Sequence, residues 1–275
     1  QPLPKATPES VDMSTERLQR MHVALQALVD KDQLGGLVTL VARDGKMVDY
    51  EAFGFQDIDA KTPMKTDSIF RIASMSKPIT SVGIMMLFEE GKLALNDPLS
   101  KFIPAFREMK VLQRGAPGTE PALVPARRQI TVRDLLTHRS GLTYGFLDNA
   151  QVGAAYRDGG VNDGLTVVEF PLDQNMERLA KAPLVSQPGA EWHYSLSTDV
   201  LGRVIEVASG LPLDRFFQER IFTPLNMVDT SFAVSDAKWP RFVNVYTGDG
   251  QAGIRAMKDP ESFGNTRMSP FASYK

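Results

Sequence analysis

Proline is admitted to the first turn of a helix and barred from its interior. Pro78 therefore sets where the apolar, helix-forming stretch at 79–90 can begin, and Gly91 sets where it ends. Before it runs Ser-Ile-Phe-Arg-Ile-Ala at 68–73, a short apolar segment suited to a strand. Between the two lies Ser74-Met75-Ser76-Lys77. Residues three apart share a helix face, so Lys77 can reach back to the Ser74 hydroxyl. Backbone N–H groups at a helix start lack partners and carry positive potential. A hydroxyl, a base and donors for developing negative charge are the parts of an activated nucleophile. The plain alternative is a capping serine with a solvated lysine one turn on. A chain this long contains roughly one Ser-x-x-Lys by chance. Ser235-Asp236-Ala237-Lys238 is a second match, with no helix behind it, and reads as loop.

With 43% hydrophobic residues the chain can bury a substantial core. A formal charge of -2 argues against nucleic acid or an anionic membrane as the main partner. No cysteine means no disulfide, no thiolate nucleophile and no Cys-based metal site. That fits either side of a bacterial inner membrane, so the compartment stays open. No apolar run approaches a membrane span. Gln1 begins the chain and no signal-peptide pattern follows, so the expectation is a removed leader or a shortened start.

Taken in order, residues 1–12 read as an extended arm. Ser14 or Thr15 caps a helix bearing Leu18, Met21, Leu25, Leu28 and Val29 at helical spacing. Two β-prone runs at 37–41 and 47–50 flank Arg43-Asp44-Gly45-Lys46, a hairpin signal. Thr131-Val132-Arg133-Asp134 is a capping box, and Gly141 is expected to stop its helix. Residues 104–128 read as an irregular excursion. Helical patterns follow at 173–181, at 198–209 (capped by Ser195 or Ser197 and closed by Gly210) and at 213–221. A strand is expected at 230–234, and weak periodicity at 246–275.

Tyr194 is the second chemical group of interest. On its own it reads as an amphipathic phenol packed under a helix start. In order along the chain stand Ser74-Met75-Ser76-Lys77, Leu135-Leu136-Thr137-His138-Arg139-Ser140-Gly141-Leu142, Pro188-Gly189-Ala190-Glu191-Trp192-His193-Tyr194-Ser195 and Pro224-Leu225-Asn226-Met227. Together they resemble the serine β-lactamase-like superfamily of class C β-lactamases and DD-peptidases, and especially the family VIII carboxylesterases. Ser-x-x-Lys is a mark of penicillin-binding enzymes. The resemblance implies that Ser74 is the acylated nucleophile, Lys77 its base and Tyr194 the proton relay. The Ser74 N–H would supply half of an oxyanion hole.

The sequence departs from that pattern twice. Tyr194-Ser195-Leu196 carries leucine where class C β-lactamases have an asparagine that binds the β-lactam amide, which tilts the expectation toward esters. No Lys-Thr-Gly, Trp-Gly-Gly or His-x-Gly motif follows Tyr194. The resemblance therefore implies the N-terminal two-thirds of a longer enzyme, whose C-terminal part would complete the sheet.

The expected fold is α+β, of the β-lactamase/penicillin-binding-protein type. An antiparallel sheet flanked by helices takes residues 1–72, a helical lobe takes 73–230, and 231–275 return toward the absent part of the sheet. Ser74 and Tyr194 would meet in the cleft. The expected function is hydrolysis of short-chain carboxylic esters through acyl-Ser74, with a small-molecule ester as partner and no metal or organic cofactor. The alternatives are β-lactam or D-amino-acid peptide cleavage, or a non-catalytic penicillin-binding-like sensor. Tyr144 and Phe146, on a glycine-flanked loop, are expected to narrow the acyl pocket unless both rings are core packing. His138 reads as structural, at a helix end. Neither it nor His193 has the spacing of a triad or metal site. Met85-Met86 reads as core and Arg127-Arg128 as a solvated pair.

Overall fold

Asp44 and Gly45 take φ values of 52° and 70°, the left-handed pair that a tight hairpin turn requires. The turn joins β1 (Gly36–Arg43) to β2 (Lys46–Asp57) in antiparallel register, with one irregularity between Val41 and Ala42. β3 (Thr62–Pro63) pairs with the far end of β2, giving the order β1-β2-β3 and leaving β1 at an edge with Leu40 55% exposed. In this computed structural model, residues 3–113, 120–148, 151–165, 168–250 and 253–257 are described.

The chain forms two compact units. One takes the described residues up to Arg71 and those from Val234; the other is Ile72–Ala233. In the first unit, α1 (Thr15–Asp30) is capped by Ser14, whose hydroxyl accepts the Arg17 N–H. The helix is tied to the hairpin through buried Asp49, which meets His22 Nε2 at 2.6 Å and accepts the Thr39 hydroxyl at 2.6 Å. The returning segment joins the unit at Ile69, whose N–H donates to the Arg241 carbonyl and whose carbonyl accepts from Val243 N–H. A single bridge, Ile69 to Phe242, is all the strand pairing that residues 68–73 make. The strand expected there is reduced to that bridge among the described residues. At the end of this unit β6 (Tyr246–Gly248) and β7 (Ile254–Ala256) form a small hairpin. Residues 258–275 lie outside the described residues.

The second unit is built around α2 (Ser76–Glu89). Its buried Thr80, Gly83, Ile84 and Leu87 follow helical periodicity. That face packs on α6 (Ser197–Ser209), because Gly83 permits it. A β-carbon there would stand 3.0 Å from Ile205 Cδ1 and 3.2 Å from Phe216 Cε1. Ile84, Leu87, Ile205 and Phe216 are fully enclosed; burying each such side chain contributes about 1.5–3 kcal/mol. Met86 packs against this core, but Met85 is 41% exposed, so only half of that pair is core.

Between residues 104 and 128 the chain makes a hairpin, β4 (Lys110–Gln113) with β5 (Ala122–Pro125), where an irregular excursion was expected. Buried Val111 supplies the apolar anchor and bridges to Leu184. The capping box at Thr131 opens α3 (Val132–Leu136). Arg128 is exposed, as expected, and its guanidinium also grips the Asp134 carboxylate of that box at 2.6 and 3.0 Å. α3 ends earlier than Gly141, since His138 itself takes the left-handed φ of 54° past the helix end. Four more α-helices belong to the unit among the described residues. They are α4 (Gln151–Asp158), which the sequence reading did not contain, α5 (Leu172–Leu179), α6 (Ser197–Ser209) and α7 (Leu213–Phe217). A π turn over Gln218–Phe222 cuts the last expected helix short. The expected strand at 230–234 is irregular, and Ser235 to Lys238 is a turn.

Candidate active site

Ala73 carries a β-carbon yet holds φ at 42°, a left-handed conformation that costs on the order of 1 kcal/mol. It opens the 3-10 turn Ala73–Met75, which delivers Ser74 to the start of α2. Lys77 is the second residue of α2, in the first turn with Pro78. Its Nζ donates to Ser74 Oγ at 3.2 Å.

Tyr194 arrives from the turn ahead of α6. Leu196 is the residue before the first helical turn, and Ser195 Oγ accepts the Ser197 N–H at 3.3 Å. The Tyr194 and Ser74 hydroxyls share a hydrogen bond of 2.5 Å. Lys77 Nζ stands 4.6 Å from the centre of the Tyr194 ring. Burial pulls the phenol's pKa up, but hydrogen bonds with Lys77 and Ser74 and the Lys77 charge outweigh it, leaving the phenol below its ordinary 10.0. The serine oxygen, the amine and the phenol thus converge on one point.

Tyr144 joins them. Its hydroxyl accepts from Lys77 Nζ at 3.3 Å, and its ring lies 5.4 Å from that of Tyr194. Burial, then the charge of Asp199, pushes the Tyr144 phenol far up, so it stays neutral. Phe146 is 47% exposed and lies on Tyr144 at 4.9 Å. Their loop is pinned by Asp163, which accepts the Gly145 N–H at 3.2 Å, and by Arg157, which donates to the Gly145 carbonyl. Of the two rings expected to line a pocket, one is therefore buried against the lysine and one is open.

The sequence reading passed over two carboxyls. Asp199, in the first turn of α6, is pushed up to about 6 by burial, with the Lys77 charge opposing. Asp163 is raised too, by burial, against the hydrogen bonds of Gly145 and Phe146 and the charge of Arg157. An aspartate directly before the buried Val200 and Leu201 was the available signal. His138 lies against Tyr194 at 5.0 Å between ring centres. His193 instead pairs with Glu191 on the surface. Among the described residues no group of three or more His, Asp or Glu is placed to hold a metal ion, and no helix is long and apolar enough to cross a membrane.

Ser74 in its 3-10 turn, a lysine one helical step on and a phenol closing over both form one cluster on a mixed helix and sheet fold. The family model described as Beta-lactamase matches residues 23–269, and the chain belongs to that family. Its fold is the one shared by β-lactamases and penicillin-binding proteins. It is 40% identical over 240 residues to Esterase EstB of Burkholderia gladioli, an alignment covering 87% of this chain and 57% of that protein. Among solved structures it is similar to EstCE1, a hydrolase with promiscuous acyltransferase activity. That match has a TM-score of 0.75 and 32% identity, and covers 92% of this chain and 64% of EstCE1. It is also similar to simvastatin synthase (LovD) from Aspergillus terreus, with a TM-score of 0.74 and 27% identity over 95% of this chain and 67% of LovD. The chain thus spans a little over half the length of the curated relative it matches.

Proposed function

We propose that the protein is a serine carboxylesterase that cleaves short-chain esters through an acyl-Ser74 intermediate. The observation that carries this reading is the position of Ser74 Oγ, 3.2 Å from Lys77 Nζ and 2.5 Å from the Tyr194 hydroxyl. Lys77 and Tyr194 act as a coupled base. As Ser74 Oγ attacks the ester carbonyl its proton passes to that pair. The pair then returns a proton to the departing alkoxide, and the alcohol leaves. Water attacks acyl-Ser74 with the same pair taking its proton, and that proton passes to Ser74 Oγ as its bond to the acyl carbon breaks and the acid is released. Positive potential at the start of α2 favours the oxyanion. Tyr144, neutral and bonded to Lys77, holds the amine in place, while Phe146 borders the acyl group. Leu196 in place of an amide, and the likeness to two proteins named for ester or hydrolase activity, favour esters over β-lactams. The likeness to EstCE1 favours a second outcome for acyl-Ser74, transfer to an alcohol in place of water.

Intact mass after incubation with a phosphonate ester tests the reading. A single adduct at Ser74, absent from Ser74→Ala, is expected, together with faster turnover of a short acyl ester than of a cephalosporin. No adduct on the folded protein would point to a non-catalytic sensor, and faster cephalosporin turnover would overturn the ester assignment. Adding a primary alcohol and looking for the transesterified product separates transfer from hydrolysis.

A further inference from the structure

His138 has no part in the chemistry proposed for Ser74, Lys77 and Tyr194, yet it is built into the support of Tyr194. Its ring lies 5.0 Å from the phenol ring, and its Nδ1 is 3.2 Å from Ser195 Oγ. Ser195 Oγ shares a 2.8 Å hydrogen bond with Ser197 Oγ, which shares one of 2.9 Å with Ser140 Oγ. All three serines are completely buried. This line of side chains joins the loop after α3 to the turn that carries Tyr194. Backbone bonds flank it: His193 N–H donates to the His138 carbonyl at 2.8 Å, and Leu196 N–H to the Thr143 carbonyl at 3.3 Å. The left-handed φ of 54° at residue 138 would suit Gly or Asn as well, so the backbone alone does not call for an imidazole. Burial, followed by repulsion from Lys77, holds that imidazole below its ordinary 6.5. At neutral pH it therefore offers one donor and one acceptor nitrogen.

We infer that His138 is a positioning residue that fixes the Tyr194 phenol against Ser74 through its hydrogen bond to Ser195. The inference rests on the role proposed for Tyr194. A base displaced by about 1 Å can lose on the order of 10²-fold in rate, so the tie matters to turnover while standing outside the reacting atoms.

The test is a double-mutant cycle of His138→Gly and Ser195→Ala, read by kcat and KM for a short acyl ester and by the absorbance titration of Tyr194 against Tyr194→Phe. Each single variant should lower kcat by about 10–100-fold with KM little changed. The double variant should be no slower than the slower single, because one interaction is lost in each case. In each the Tyr194 titration should move back toward 10, the value of a free phenol. Should His138→Gly not fold, His138→Asn, which suits the same backbone, replaces it. Wild-type kcat and an unmoved Tyr194 titration in either single variant would overturn the inference, as would losses that multiply in the double. If the wild-type protein formed no adduct at Ser74, the proposed function would fall, and the Tyr194 titration would still judge the positioning role.

Discussion

The hydroxyls of Ser74 and Tyr194, 120 residues apart in the chain, lie 2.5 Å from each other. Ser74 has one base within its own helix turn, and Tyr194 gains its lowered pKa from hydrogen bonds with Lys77 and Ser74.

That lowered pKa fixes the sign of a pH dependence. Phenolate forms as pH rises, so ester turnover should climb along a limb centred below 10, the ordinary value for a phenol. Tyr194→Phe should remove the limb, and Lys77→Ala should move it upward. A pH–rate profile of kcat/KM for the three proteins checks this; a limb that stays in Tyr194→Phe would assign it to another group.

Lys77→Ala should lower ester turnover by about 10²–10⁴-fold, the usual cost of losing a general base. The fold should persist, because alanine is the better helix former and Lys77 sits in the first turn of α2. Circular dichroism melting beside a turnover assay separates the two effects, and wild-type turnover would remove Lys77 from the mechanism.

Asp199 is expected to be a cost to stability at neutral pH. Its folded pKa, raised from 3.8 to about 6, lies above the unfolded one. Its favourable linkage is therefore full below 3.8 and lost as pH rises through about 6. Asp199→Asn should stabilise the protein at pH 8 by about 1–3 kcal/mol and change little at pH 4. Urea denaturation at the two pH values reads the difference directly.

Phe146 and Tyr144 should now behave differently. Phe146→Ala, at an exposed ring, should widen acyl-length preference by at most about 1–3 kcal/mol per methylene while sparing turnover of acetyl esters. Tyr144→Ala removes a buried partner of Lys77 and should depress turnover of every ester alike. Turnover against acyl length in both variants tests this; a length profile that moves in neither would place the acyl pocket elsewhere.

Local signals were legible wherever a few consecutive residues decide the geometry. Ser14 capping α1, the Asp44-Gly45 turn, the Thr131 capping box and the α2 boundaries all rest on such contacts. The same holds for Ser74 and Lys77, three residues apart on one helix turn. What the sequence did not hold was partnership at a distance. The run at 68–73 has strand composition but meets one bridging partner, and the segment at 104–128 becomes a hairpin because Val111 finds Leu184. Tyr144 read equally as pocket lining or core until its hydroxyl was placed on Lys77. His138 read as a helix end until Ser195 and Tyr194 stood beside it. Asp199 drew no notice, because a carboxyl's pKa depends on desolvation and on charges brought close by packing. Sequence alone determined the locally capped elements and the turn that holds Ser74 and Lys77 together. Tertiary structure decided which side chains surround it, since hydrogen bonds and burial act between residues that only folding brings within a few ångströms.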